Sequence, residues 1–448
     1  MADLSDSPSS GHGQAGSIME PVSDGEDLEI QMPDAVRQLL EDFEKESSLM
    51  EWKIHRVPAS LADMGDQFIL PMALAIGPYH RHLPRVQGMQ KAKRVAVYTL
   101  TRDSGKSLEE MYSLVLAVED MGRRMYDDDV VKGISTTEFA DMMFHDACFL
   151  LQYMLSLSLP TEVDGMSSLQ RFFLANEACI SNDMMLLENQ LPWFVIEVLM
   201  RASATEIVVD VDMFIAKMGC SMSNMSRHRH SNKYTLSNRA PHLLGHLAMR
   251  KQQVSGKRWA GTFGALSAPV SAMEFEEIGI KLDHSKTNMF GDIGIIQGPL
   301  FHKFFLPSLR LDRIRASWLA NMVAFEVCTA SYSPESTNHS SVCSYVALLA
   351  MLMDREEDVH KLRSEGFICG DLSDKQILEF FNGLAQKMSP GMCYFEILAE
   401  IEGCKRKRWL RIMVCKFLSS NAKAIAAVLS IIGALVGIFK ALYSLKQH

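Results

Sequence analysis

The nine cysteines include no Cys-x-x-Cys pair; they stand singly at 148, 179, 220, 328, 343, 369, 393, 404 and 415. That spacing excludes a zinc ribbon and a small disulfide scaffold. It fits buried thiols in a reducing compartment. The N-terminus has no apolar stretch behind a basic start, so no secretory signal peptide is read. Residues 1–36 lack Lys and Arg altogether, against eight Asp and Glu. Removing those eight from the net charge of −9 leaves −1 for the rest of the chain. A general nucleic-acid binder is therefore not expected. No GxSxG elbow, HExxH helix or GxGxxG strand–turn–helix occurs. No catalytic residue, cofactor or metal site is assigned, and the chain is read as a non-enzyme.

What is present is apolar and helix-favouring. Hydrophobic residues make up 48% and Met alone contributes 30 positions. The fold class read is mainly α: a large helical domain, a minor β-hairpin and a C-terminal hydrophobic, transmembrane helix. Residues 1–32 are Ser-, Gly- and acid-rich and cannot bury enough apolar surface to order themselves. The helical domain spans 33–404, opening with a helix at Pro33 and Asp34. Polar loop insertions fall at about 218–270, around a short helix in "APHLLGHLAMR". The hairpin is placed in "NMFGDIGIIQGPLFHKFFLPSLRL", where β-formers alternate with Gly and Pro.

Helix starts carry their own chemistry. Ser107 with Glu110, Ser135 with Glu138, and Ser271 with Glu274 each read as a capping box, hydroxyl and carboxylate serving unpaired amides. The helix after Ser135 is apolar over most of its circumference and is read as central. Gly105-Lys106-Ser107 resembles half of a phosphate-binding loop. Leu100 stands where that loop needs Gly, so the helix-start reading is preferred. His228, His230, His242 and His246 lie close in sequence, and the last two share a helical face. No carboxylate accompanies them, so they are read as loop and helix residues rather than zinc ligands. Asn224 and Asn338 are glycosylation sequons that matter only in a lumenal domain.

"MMLLENQLPWFVIEVL" places Glu188, Asn189 and Gln190 inside an apolar run, just before Pro192. A corner between buried helices is expected. One helix ends near Asn189, Pro192 opens the next, and the polar trio serves backbone groups at the break. "AIGPYHRH" places Tyr79 and His80 after the Gly77-Pro78 turn, where local packing is preferred over proton transfer.

Near the C-terminus Lys405, Arg406, Lys407, Arg408, Arg411 and Lys416 form a basic flank. An uncharged run follows from Ala424 to Phe439. It is read as a membrane span whose charge bias keeps the main domain cytosolic, giving a single-pass anchor with the plasma membrane favoured. The domain 405–448 is thus basic flank plus membrane helix. Gly433 and Gly437 make a GxxxG step suited to helix packing and self-association.

In order along the chain, "IHRVP", "AIGPYHRH", "FHDACFLLQYML", "LLENQLPWFV", "APHLLGHL", "SAMEFEEIGIKL", "LPSLRLD" and "NMVAFEVC" resemble a plant family known as domain of unknown function 247. The resemblance covers about residues 50 to 443. It implies a mostly helical, membrane-associated plant protein with no catalytic residues to transfer. Some grass members are implicated in pollen–stigma self-incompatibility. The reading is therefore a membrane-anchored protein that acts by protein–protein interaction or recognition through an unidentified partner. The alternatives are an enzyme with a non-local site near Tyr79 and His80, or a soluble helical protein whose last helix completes the core.

Overall fold

The computed structural model describes residues 53–158, 165–202, 211–222, 240–251, 270–298, 301–330, 340–421 and 430–438. The acidic tail, the helix expected from Pro33, His228, His230, Asn224, Asn338, Ala424 and Phe439 lie outside the described residues.

The described chain is mainly helical. Its longer helices are α1 (Gln90–Ser104), α2 (Leu108–Ala117), α3 (Thr136–Ser158), α4 (Ser168–Ala175), α5 (Glu177–Asp183), α6 (Trp193–Ala202), α7 (Val211–Ser221), α8 (Leu243–Lys251) and α9 (Ala272–Glu277). They continue with α10 (Arg313–Ala330), α11 (Ser341–Leu352), α12 (Glu356–Ser364), α13 (Asp374–Ala385) and α14 (Met392–Ser420). Helix α3 is the central one. It buries Phe139, Met143, Phe144, Ala147, Phe149, Leu150, Leu151 and Met154, and packs against α1, α2, α4, α6 and α7. Each of its larger apolar side chains contributes about 1.5–3 kcal/mol on burial.

The local helix signals hold at two of three sites. Ser107/Glu110 and Ser271/Glu274 form complete capping boxes. At the third, the Ser135 hydroxyl accepts the Glu138 amide at 3.2 Å, but the Glu138 carboxylate turns to Arg81 instead, at 2.6 Å. Gly105 ends α1 in the left-handed conformation, φ 68°, and Ser107 begins α2. The Gly-Lys-Ser stretch is thus a helix-to-helix joint and no phosphate loop.

The β structure is small. β1 (Ile280–His284), β2 (Gly294–Ile296) and β3 (His302–Leu306) form a sheet with β3 in the middle. β2 and β3 pair antiparallel, as the expected hairpin, while β1 adds to β3 in parallel. β3 alternates as a one-sided strand should: His302, Phe304 and Leu306 are buried and Lys303 is exposed. β4 (Leu309–Arg310) and β5 (Ile368–Cys369) make a second, parallel pair.

The C-terminal reading needs correction. No helix among the described residues is long and apolar enough to cross a membrane. Helix α14 contains all six residues of the basic flank, Lys405, Arg406, Lys407, Arg408, Arg411 and Lys416, and that charge rules it out as a span. Its start packs inward through Ile397, Ile401 and Cys404. Gly433 and Gly437 lie in the described helical residues 430–438, and the rest of the uncharged run lies outside the described residues. With no described helix long and apolar enough to cross a membrane, the single-pass anchor, the plasma-membrane location and the orientation argued from charge are not supported.

Candidate functional site

Pro71, Gly77 and Pro78 keep residues 70–80 out of any long helix, and this segment pairs in neither sheet. Its backbone groups must find other partners once buried. Side chains from distant segments supply them. Asp183, at the end of α5, accepts the amides of Met72, Ala73 and Leu74 at 2.7, 2.7 and 2.8 Å. Asn189 accepts the Ile76 amide at 2.7 Å and donates to the Leu74 and Asp183 carbonyls, both at 2.8 Å. Asp146, midway along α3, accepts the Gly77 amide at 2.7 Å. Lys93 on α1 donates to the Ala75 carbonyl at 2.6 Å and pairs with Asp146. Asp183 and Asn189 are fully buried. Burial raises the Asp183 carboxyl, and the three amide bonds work against that rise.

The corner at 184–192 is built the same way. Helix α5 ends at Asp183, six residues before Asn189, and α6 begins at Trp193. The helix stops earlier than the proline alone dictates: Asn189 takes the carbonyl of its last residue, Asp183, and Gln190 takes carbonyls just beyond it. Gln190 donates to the Met184 and Leu186 carbonyls, both at 2.8 Å, and accepts the Leu244 amide at 3.1 Å. Pro192 sits at the entry to α6, where its carbonyl receives the Val195 amide at 3.0 Å. Asn321 on α10 accepts the Leu187 amide at 2.8 Å and donates to Phe68 at 2.9 Å. Glu188 accepts the Val57 amide at 2.9 Å.

Tyr79 and His80 are packed into the joint. The Tyr79 hydroxyl donates to the Ile54 carbonyl at 2.9 Å, and burial raises its pKa. His80 is buried, its Nε2 3.6 Å from Glu188. Burial, with the Arg85 charge nearby, pushes its pKa down to about 4. Burial pushes Glu188 up. His242 and His246 are buried too, edge-on to Phe325 and Trp193. Among the described residues no three His, Cys, Asp or Glu side chains are grouped to hold a metal ion. The cysteine thiols follow the same pattern: burial pushes Cys328 and Cys393 up to about 12, unsuited to nucleophilic work.

One open cleft borders this joint. It has a volume of about 460 Å³ and is lined by Ala75, Gly77, Arg81, His82, Gln87, Gln90, Lys93, Arg94, Glu138, Asp141, Met142, His145 and Asp146. Most of its residues come from the Gly77–His82 turn and from helices α1 and α3, with Ala75 before the turn and Gln87 just ahead of α1. Inside the cleft wall, Arg81 pairs with Glu138 at 2.6 Å and His145 lies 3.3 Å from Asp141. Sequence reasoning placed none of Lys93, Asp146, Asp183 and Asn321 in a site. A signal for two of them was there. Lys93 breaks the buried stripe Ala92, Ala96, Val97 and Leu100, and Asp146 interrupts an apolar helix.

The motif pieces that lie far apart in sequence therefore meet at one joint. A family model described as "plant protein of unknown function", domain of unknown function 247, matches residues 54–436. A UPF0481 protein of Arabidopsis thaliana is 28% identical over 378 residues, covering 78% of this chain and 74% of that protein. No solved structure matches. The chain belongs to the plant family of domain-of-unknown-function 247 proteins.

Proposed function

We propose that the protein acts by recognition: it presents a prebuilt surface to a protein partner and makes or breaks no bond at its signature residues. One observation carries this reading. Asp146, Asp183, Glu188, Asn189 and Gln190 each hydrogen-bond main-chain groups of distant segments, with Asp146 also paired to Lys93, and this favours a structural use of these side chains. The surface offered beside the joint is the outer face of α1. Lys91, Arg94, Val95, Tyr98 and Arg102 recur at helical spacing and are all exposed, Tyr98 by 67%. Exposed Tyr and Arg are the residue types enriched in protein interfaces. The basic members favour an acidic partner.

The test is capture of the partner from source tissue by the wild-type chain and by Tyr98→Ala. Loss of one specific protein from the Tyr98→Ala sample, at unchanged melting temperature, supports docking on α1. Equal capture by both contradicts it. Pollen–stigma recognition is one setting for such docking, and a mating test of a disrupted allele addresses it. Catalysis at the cleft is a second reading, favoured by Lys93 and Asp146 lying on its floor. It requires a turnover that Lys93→Arg removes without lowering the melting temperature.

A further inference from the structure

The cleft between the Gly77–His82 turn, α1 and α3 has a charge balance that selects its ligand. Two of its cations are matched internally, Lys93 by Asp146 and Arg81 by Glu138, and the His145 ring lies 3.3 Å from the Asp141 carboxylate. Arg94 and His82 also line the cleft, and neither has an ion-pair or hydrogen-bond partner among the described residues. The Lys93 ammonium has three N–H donors. The Ala75 carbonyl and the Asp146 carboxylate account for two of them. The third donor belongs to a side chain that is only 5% exposed yet borders the cleft. A buried ammonium donor without an acceptor is costly, and a ligand oxygen at the cleft floor would satisfy it.

The geometry points to a binding site for a small organic anion, its carboxylate or phosphate held by Arg94, His82 and the spare Lys93 donor. Arg suits both anions because its planar fork meets two oxygens at once. The volume of about 460 Å³ lies in the range of small-molecule sites and leaves room for an organic body beyond the charged group. Met142, on the cleft wall, offers apolar contact to that body. This site does not depend on partner docking at Tyr98, which lies outside the cleft lining.

Titration calorimetry on the full chain tests the site with phenyl phosphate, benzoate and neutral benzamide. The anions are expected to bind and benzamide is not; which of the two binds more tightly identifies the preferred head group. Arg94→Gln is expected to weaken binding at least tenfold and His82→Asn at least threefold. Both residues are exposed, so their variants should melt with the wild type. Absence of binding by both anions, benzamide binding as well as benzoate, or wild-type affinity in Arg94→Gln would each overturn the site. Arg94 also belongs to the Tyr98 face, so the ligand comparison and His82→Asn are the results that leave capture of a protein partner there untouched.

Discussion

The Asn189 side-chain oxygen accepts the Ile76 amide at 2.7 Å, across 113 residues of chain. The same side chain donates to Leu74 and Asp183, so one buried amide group ties an extended segment to a helix corner. An apolar replacement strands the Ile76 amide and the Leu74 carbonyl, while the Asp183 carbonyl keeps the Leu186 amide at 3.3 Å. Each stranded buried group costs roughly 1–3 kcal/mol, so Asn189→Leu should lower stability by about 4 kcal/mol. Urea denaturation checks this through the midpoint; a shift worth less than about 1 kcal/mol would mean that the segment is held by other contacts.

Gly77 is the second fixed point. Its φ of +73° is left-handed, and a Cβ there would lie 2.8 Å from both the Gln190 carbonyl oxygen and the Tyr126 hydroxyl. Backbone strain and overlap act together, so Gly77→Ala should cost at least about 2 kcal/mol. Thermal melting is the check, and an unchanged melting temperature would place the turn elsewhere.

Glu188 holds the Val57 amide. Glu188→Ala should lose about 1–2 kcal/mol, whereas Glu188→Gln keeps an acceptor oxygen and should melt near the wild type. Loss of biological function in a Glu188→Ala protein that melts at the wild-type temperature would contradict a structural role.

Acid should destabilise the fold through its buried histidines. Burial pushes His80 and His246 down to about 4 and lowers His242 as well. Between the ordinary value of 6.5 and about 4, the unfolded chain takes up protons that the folded chain refuses. Stability is therefore full above 6.5 and falls as pH drops through that window. Glu188 and Asp183 are raised by burial and act in the opposite sense, so a single-site comparison is cleanest. His246→Phe should flatten the slope of stability against pH by about 1.4 kcal/mol per pH unit within that window. Parallel pH curves for the two proteins would show that His246 does not titrate as its burial requires.

Features written in a few adjacent residues were legible in the sequence. The Ser107 and Ser271 capping boxes, the central helix after Ser135 and the corner around Pro192 depend on local chemistry. The joint was not legible because its partners meet only after folding: Asp183 reaches Met72, and Asp146 reaches Gly77. The cleft needs three such segments at once. Arg81 illustrates the point, since its turn toward Glu138 dissolved a capping box that the local pattern had completed. Hydropathy alone misled at the C-terminus. A run without charge says nothing of where a helix starts and stops, and no helix among the described residues is long and apolar enough to cross a membrane.

The central claim is that signature side chains hold residues 72–77 in place of secondary structure. Hydrogen exchange read by mass spectrometry tests it most directly. The amides of Met72, Ala73, Leu74, Ile76 and Gly77 should exchange as slowly as those of α3, opening only when the whole domain unfolds. Exchange of these amides at the rate of an exposed loop, while α3 stays protected, would contradict it.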